Sequence, residues 1–131
     1  MNQINGEFLL DTNIVIRLLA RDSAVQRRLD EADIVVPIFA LGKLYYGAQK
    51  SLRTRENLEK INEFVADVAV LSGDLGTAYM FGEIKNELRL KGRMIPMSDL
   101  WIAALARQHD LILVSRDRHF AEVDNLRWEQ W

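Results

Sequence analysis

The run Leu111-Ile112-Leu113-Val114 is apolar at every position, and this constrains the fold more than any other feature of the chain. A strand with one wet face alternates apolar and polar residues. One with no polar position has to be covered on both faces, as in a parallel sheet held between helices. Shorter runs of the same kind occur at Phe8-Leu9-Leu10, at Ile34-Val35-Val36, which Pro37 ends, and at Val68-Ala69-Val70-Leu71. Between them the apolar residues follow a helical repeat. Ile14, Val15, Leu18 and Leu19 come after the first run. Leu41, Leu44, Tyr45 and Ala48 mark one helix face after the second, and Leu58, Ile61 and Val65 mark the next helix. Phe81, Ile84 and Leu88 line a longer helix expected to stop near Gly92, after the turn Ser72-Gly73-Asp74. Pro96-Met97-Ser98-Asp99 then opens an alanine-rich helix expected over residues 100–108, and the alternating segment 126–131 reads as an edge strand. Strands separated by helices predict an α/β domain with a mainly parallel sheet. No internal repeat, low-complexity tract or linker interrupts the chain, so residues 1–131 read as one domain.

Composition agrees. A chain of 131 residues buries roughly two-thirds of its unfolded surface, and 49% hydrophobic with 27% charged residues is ordinary globular usage. There is no cysteine, which excludes disulfides and thiolate metal sites and fits a reducing cytosol. The segment Met1-Asn2-Gln3-Ile4-Asn5-Gly6 does not have the make-up of a secretory leader. No apolar run approaches the ~20 residues that span a bilayer. The expectation is a soluble, cytoplasmic protein. A net charge of −2 argues against a strongly basic DNA-binding module but allows local contact with nucleic acid. Arg27 and Arg28, Arg53 and Arg55, and the stretch 85–93 read as solvated helix faces.

Ligands of an open parallel sheet bind beyond the carboxyl ends of its strands. Asp11 follows the first strand directly, and Asp117 lies just past the strand that ends near Ser115. Asp99 precedes a helix that feeds that same strand. Three carboxylates meeting there would suit a hard cation such as Mg²⁺ or Mn²⁺. Each also has a plain structural reading: Asp11 and Asp99 as helix caps, Asp117 as a turn residue.

Four blocks in order are more specific than this spacing: Leu-Leu-Asp11-Thr12-Asn13-Ile-Val, Leu-Gly-Lys43-Leu-Tyr-Tyr-Gly-Ala, Ile-Pro-Met-Ser98-Asp99-Leu-Trp-Ile-Ala-Ala and Leu-Val-Ser115-Arg116-Asp117-Arg-His-Phe. From Phe8 to Trp131 the chain resembles the PIN-domain family, specifically its VapC-type toxins. The resemblance implies a three-layer α/β/α sandwich and a Mg²⁺- or Mn²⁺-dependent endoribonuclease. It also implies a homodimer held in check by a cognate antitoxin. Carried over position by position, Asp11 and Asp99 would be direct metal ligands, and Asp117 would complete the acidic cluster. Thr12, Asn13 and Ser115 would orient carboxylates or metal-bound water.

The departure is Lys43, which stands where the family's pattern has glutamate before Leu44 and Gly47. With lysine there, the cluster of Asp11, Asp99, Asp117 and Lys43 carries three negative charges and one positive, a formal −2 instead of −4. An ammonium ~4 Å from a divalent ion repels it by roughly 8 kcal/mol at an effective dielectric of 20. Lys43 is therefore expected to take the ion's place beside Asp11 or Asp99 and leave the chain inactive. An ideal helical wheel sets it opposite the Leu41/Leu44 face, so a solvent-facing Lys43 is the competing placement. One base change converts a glutamate codon to a lysine codon. A detoxifying substitution and a natural lysine in a repurposed member both account for the residue.

Two other function classes compete with the nuclease. One is a metal-dependent phosphatase or response-regulator-like domain; its phospho-receiver version predicts an early acidic pair and a late lysine, whereas Asp11 stands alone and the late segment is Ser115-Arg116-Asp117. A non-catalytic module that only engages an antitoxin is the stronger alternative, because of Lys43. No Gly-rich phosphate loop is present. His109 and His119 are expected to be structural, and Trp101, Trp128 and Trp131 to be core or interface aromatics. Arg17, Arg116 and Arg118 are secondary candidates for phosphate contact.

Overall fold

A computed structural model describes residues 7–30 and 32–131; the segment read above for a leader, Met1–Gly6, lies outside them. The strands β1 (Phe8–Leu10), β2 (Ile34–Pro37), β3 (Ala69–Leu71), β4 (Ile112–Val114) and β5 (Trp128–Glu129) form one sheet in the order β3-β2-β1-β4-β5. Every neighbouring pair is parallel. The helices are α1 (Thr12–Leu19), α2 (Ser23–Leu29), α3 (Ile38–Gln49), α4 (Thr54–Ala66), α5 (Leu75–Lys91) and α6 (Met97–Gln108). A short 3-10 helix follows at Arg118–Glu122.

Alternation along the central strands builds the three layers. In register, Leu9 faces the same way as Val35 and Leu113, and these three join Ile84, Leu88, Leu100 and Ile102 in a core beneath α5 and α6. The next residues, Leu10, Val36 and Val114, point to the other face and pack with Ile14, Val15, Val25, Leu41, Leu44 and Ile61 from α1 to α4. Both faces of the three central strands are covered, which is why β1, β2 and β4 carry no polar residue. In α6 the stretch from Ile102 to Ala106 is wholly buried; three alanines there allow the helix close approach to the sheet. Arg107, just beyond it, pairs with Glu87 of α5 at 2.7 Å.

The sequence reading missed α2. Asp22 caps it through the main-chain N–H groups of Ala24 and Val25, but Val25 is its only buried residue, so its apolar repeat is too sparse to register. The 3-10 helix escaped for the same reason, being anchored by Phe120 alone. The long helix does end at Gly92, which takes φ 69° as its left-handed cap. The alternating segment at 126–131 contributes a two-residue parallel edge strand. Asp99 is corrected: Pro96 occupies the cap position, and Asp99 lies inside the first turn of α6.

The chain leaves β1 toward β2 and β3 on one side, whereas β4 leads to β5 on the other. Strand order therefore reverses between β1 and β4, and ligands of open parallel sheets bind past the carboxyl ends at such a reversal. Asp11 follows β1 and Ser115 follows β4, so both stand at this reversal. Because α6 runs back to feed β4, its first turn starts at the same edge.

Candidate active site

Asp11 is buried and its carboxylate is fully engaged. Oδ1 accepts the Thr12 main-chain N–H at 2.8 Å and so caps α1. Oδ2 accepts the Ser115 hydroxyl at 2.7 Å and the Asn13 amide at 3.3 Å. Asn13 crosses to the β4 side as well, where its Oδ1 accepts the Arg116 N–H at 3.1 Å. Ser115 Oγ in turn accepts the Asp117 N–H at 3.0 Å. Asp11, Asn13, Ser115 and Asp117 thus form one hydrogen-bonded bridge between the ends of β1 and β4. Thr12 Oγ1 is the one buried side-chain polar atom without a hydrogen-bond partner among the described residues.

Asp99 is only 3% exposed. Burial raises its carboxyl pKa above the ordinary value of 3.8, and the nearby Asp11 and Asp117 charges push the same way. Lys43 and His119 oppose that rise. Lys43 reaches the site from α3: its Nζ lies 3.6 Å from Asp99 Oδ1, although the side chain remains 43% exposed. The solvent-facing placement is thereby set aside, since a long side chain on an exposed helix face folds back to the carboxylate.

Asp117 caps the 3-10 helix through the His119 N–H at 3.0 Å. The His119 ring then turns into the acidic cluster, with Nδ1 2.9 Å from Asp117 Oδ1 and 3.6 Å from Asp99 Oδ2. His119 was expected to be structural; the structure instead sets it among the carboxylates. Asp117-x-His119 was the signal available in the sequence, because a capping aspartate and the residue two positions on share one side of a tight turn.

The arginine candidates stand apart from this centre. Arg17 pairs with Asp22 at 3.5 Å, and Arg116 Nε donates to the Trp131 main-chain oxygen at 2.7 Å. Arg118 is exposed at the start of the 3-10 helix. The tryptophans are structural: Trp101 stacks between Phe81 and Phe39, Trp131 packs on Phe8, and Trp128 donates to the Ser115 carbonyl. His109 caps the C-terminal end of α6, opposite the end that carries Asp99, and burial lowers its pKa.

The site is an acidic cluster at a strand-order reversal, on a sheet in the order β3-β2-β1-β4-β5. The sequence model of the PIN domain matches residues 8–126. The chain belongs to the PIN-domain family. This PIN domain is 37% identical over 129 residues to Ribonuclease VapC2 of Haemophilus influenzae, covering 95% of the chain and 98% of that relative. It is 36% identical to the tRNA(fMet)-specific endonuclease VapC of Shigella flexneri, with the same coverage. In three dimensions it is similar to the DNA-bound VapBC of Salmonella typhimurium, with a TM-score of 0.90, 31% identity and coverage of 95% and 98%. Among the described residues no helix is long and apolar enough to cross a membrane.

The family implies a divalent ion at this site. Carboxylate oxygens from Asp11, Asp99 and Asp117 are the donors that Mg²⁺ and Mn²⁺ prefer, and the orphaned Thr12 hydroxyl beside Asp11 leaves room for one more partner. Lys43 changes the outcome. Its ammonium covers Oδ1 of Asp99 at 3.6 Å, so a hard cation shared between Asp11 and that oxygen does not fit the chain as it stands.

Proposed function

We propose that this chain is the endoribonuclease toxin of a toxin–antitoxin pair, held inactive by Lys43. The acidic convergence of Asp11, Asp99 and Asp117 past β1 and β4 supports the nuclease scaffold, as do relatives described as ribonucleases and as a tRNA-specific endonuclease. The observation that carries the inactive state is the Lys43–Asp99 contact of 3.6 Å. With glutamate at position 43, Asp11 and Asp99 would hold Mg²⁺ or Mn²⁺, which lowers the pKa of bound water and stabilises charge on the scissile phosphate. The chain's own residues do the positioning. Asp11 is fixed by Thr12, Asn13 and Ser115, and Asp117 is fixed by Ser115.

The proposed partners are a cytoplasmic RNA, a cognate antitoxin and a second copy of the chain. The antitoxin rests on the VapBC complexes among the structural neighbours. Exposed Leu75 and Tyr79 on α5 support a covering partner. The second reading, a PIN-like module that binds an antitoxin without cleaving RNA, is favoured by the same Lys43 contact and is separated by one experiment. Labelled RNAs are incubated in Mg²⁺ or Mn²⁺ with this chain, with Lys43→Glu and with the double variant Lys43→Glu/Asp11→Asn. Cleavage that requires Lys43→Glu and is lost on adding Asp11→Asn supports the toxin reading. A silent Lys43→Glu variant across several RNAs selects the binding module. Asp11-dependent cleavage by the Lys43 chain itself refutes the blocked site.

A further inference from the structure

A cavity of about 630 Å³ lies between α2, the start of β1 and the segment that follows β5, apart from the acidic cluster. That is the size that takes a small organic ligand. We propose that it binds a guanine nucleotide: the base stacks on Trp131, Glu129 and Glu7 read its donor edge, and Arg27 and Arg28 hold its phosphate.

The stacking platform is already in place. The Trp131 indole packs on Phe8, with ring centroids 5.2 Å apart and a tilt of 59°. Its main-chain oxygen accepts the Arg116 Nε–H at 2.7 Å, which anchors the residue from a second direction. The Arg28 guanidinium stands over the indole, 5.8 Å from the ring centroid. Arg28 is exposed, so a face that it covers from solvent is one that a base can reach. A base held between guanidinium and indole needs a gap of about 7 Å, two contacts of about 3.5 Å each. Arg28 has to swing outward by only about 1 Å to admit it. Unstacked bases of single strands are held in this way, on aromatic rings and arginine planes.

The charges around the platform set the choice of base. Glu129 Oε1 accepts the Trp131 indole N–H at 3.5 Å, which places the carboxylate at the edge of the ring. Glu7 lines the same cavity, and its main chain is fixed by the Asp33 carbonyl and the Ile112 N–H, each at 2.9 Å. A carboxylate only accepts hydrogen bonds. Guanine offers it two neighbouring donors, N1–H and the N2 amino group. The matching edge of adenine sets an acceptor beside its one amino group, and a carboxylate repels that acceptor. Arg27 and Arg28, exposed on the last turn of α2, supply the contact for a phosphate. Two arginines against two glutamates leave the lining formally neutral, so an anionic nucleotide is not turned away as it is by the carboxylates of Asp11, Asp99 and Asp117. Arg116 links the two places. Its side chain holds Trp131, and its main-chain N–H donates to Asn13 at 3.1 Å.

The proposal does not require the nuclease reading, because binding in chelator decides it whether or not Lys43→Glu cuts RNA. The test is calorimetric titration of guanosine, adenosine, cytidine and uridine monophosphates into the full chain, with tryptophan fluorescence as a second readout. The expected result is one guanosine monophosphate per chain with a Kd below about 1 mM, about tenfold tighter than the other three, and quenched fluorescence. Arg27→Ala/Arg28→Ala, at two exposed positions, should weaken binding about tenfold. Glu129→Gln should bring adenine within about threefold of guanine, since an amide both donates and accepts. Trp131→Phe should retain binding and abolish the quenching, whereas Arg53→Ala should change neither. A short single-stranded RNA with one guanine separates the two sources of the ligand. Binding about tenfold tighter than the mononucleotide assigns the cavity to an RNA strand, and equal affinity assigns it to a free nucleotide; both support the guanine site. No binding by the unaltered chain overturns the proposal. So does adenosine monophosphate affinity equal to that for guanosine monophosphate, or binding unaffected by Arg27→Ala/Arg28→Ala.

Discussion

Lys43→Glu should destabilise the metal-free chain, and the size of the loss follows from the Asp99 contact. Opposite unit charges 3.6 Å apart attract by about 5 kcal/mol at an effective dielectric of 20. Lys43 is 43% exposed, however, and solvent screening brings such a pair to about 1 kcal/mol or less. Glutamate removes that attraction and adds a repulsion of similar size. The net change is about 1–2 kcal/mol, or roughly 4–8 °C in Tm for a domain of this size. The pH dependence carries the sign of the Asp99 shift. Burial already raises that carboxyl, so its ionisation costs the folded state stability. That cost is absent below the unfolded value of 3.8 and grows as pH rises through the folded pKa. A carboxylate in place of the Lys43 ammonium raises the folded pKa further, so the gap between the two chains should be full near neutral pH and narrow as pH falls toward about 4. Thermal melts in chelator at both pH values check this. Millimolar Mg²⁺ should restore the variant selectively, because a ligand at 100 times its Kd adds about 2.7 kcal/mol. A Lys43→Glu chain as stable as its parent in chelator at neutral pH would refute the reasoning, as would a deficit that does not change with pH.

Ser115→Ala should cost about 1–3 kcal/mol, since it deprives the buried Asp11 carboxylate of its 2.7 Å hydroxyl donor; urea unfolding measures it, and a loss below about 0.5 kcal/mol would mean the bridge between β1 and β4 contributes little. His109 titrates in the opposite sense to Asp99. Burial lowers its pKa from the ordinary 6.5, so its contribution to stability is complete above that value and is lost as pH falls toward the folded pKa. Melts of the parent and of His109→Gln across this range should diverge at mildly acid pH, with the variant losing less. Parallel curves would remove His109 as the cause.

Much of this was legible because each signal was local and redundant. The strand 111–114 announced two covered faces by composition alone, and the structure divides Leu113 and Val114 between the two cores. Asp11 and Asp117 could be placed because a residue just past a parallel strand has one edge to reach. The β1–β4 reversal that brings them together depends on strand order, which no single segment encodes. Asp99 was harder, since a carboxylate in the first turn of a helix and one at its cap look alike in sequence while differing in what they touch. The capping bonds that Asp11 and Asp117 make also show that the structural and functional readings of these aspartates are not rivals. A cap fixes a carboxylate's position, and a fixed carboxylate is what a metal or substrate site requires.

His119 was harder to read for a different reason. An isolated histidine on a polar stretch has no periodicity, and its role arises only when the 3-10 helix turns its ring toward Asp99, 20 positions away in the sequence. Lys43 shows the converse. The residue type alone signalled a broken acidic pattern, but only the fold could decide whether its ammonium reached the carboxylates, and it reaches one oxygen of one of them. That asymmetry matters for function. A lysine lying centrally among the carboxylates would neutralise them all together. One paired with Asp99 Oδ1 leaves Oδ2 facing His119 Nδ1 at 3.6 Å, so the lysine offsets one carboxylate oxygen and not the cluster as a whole.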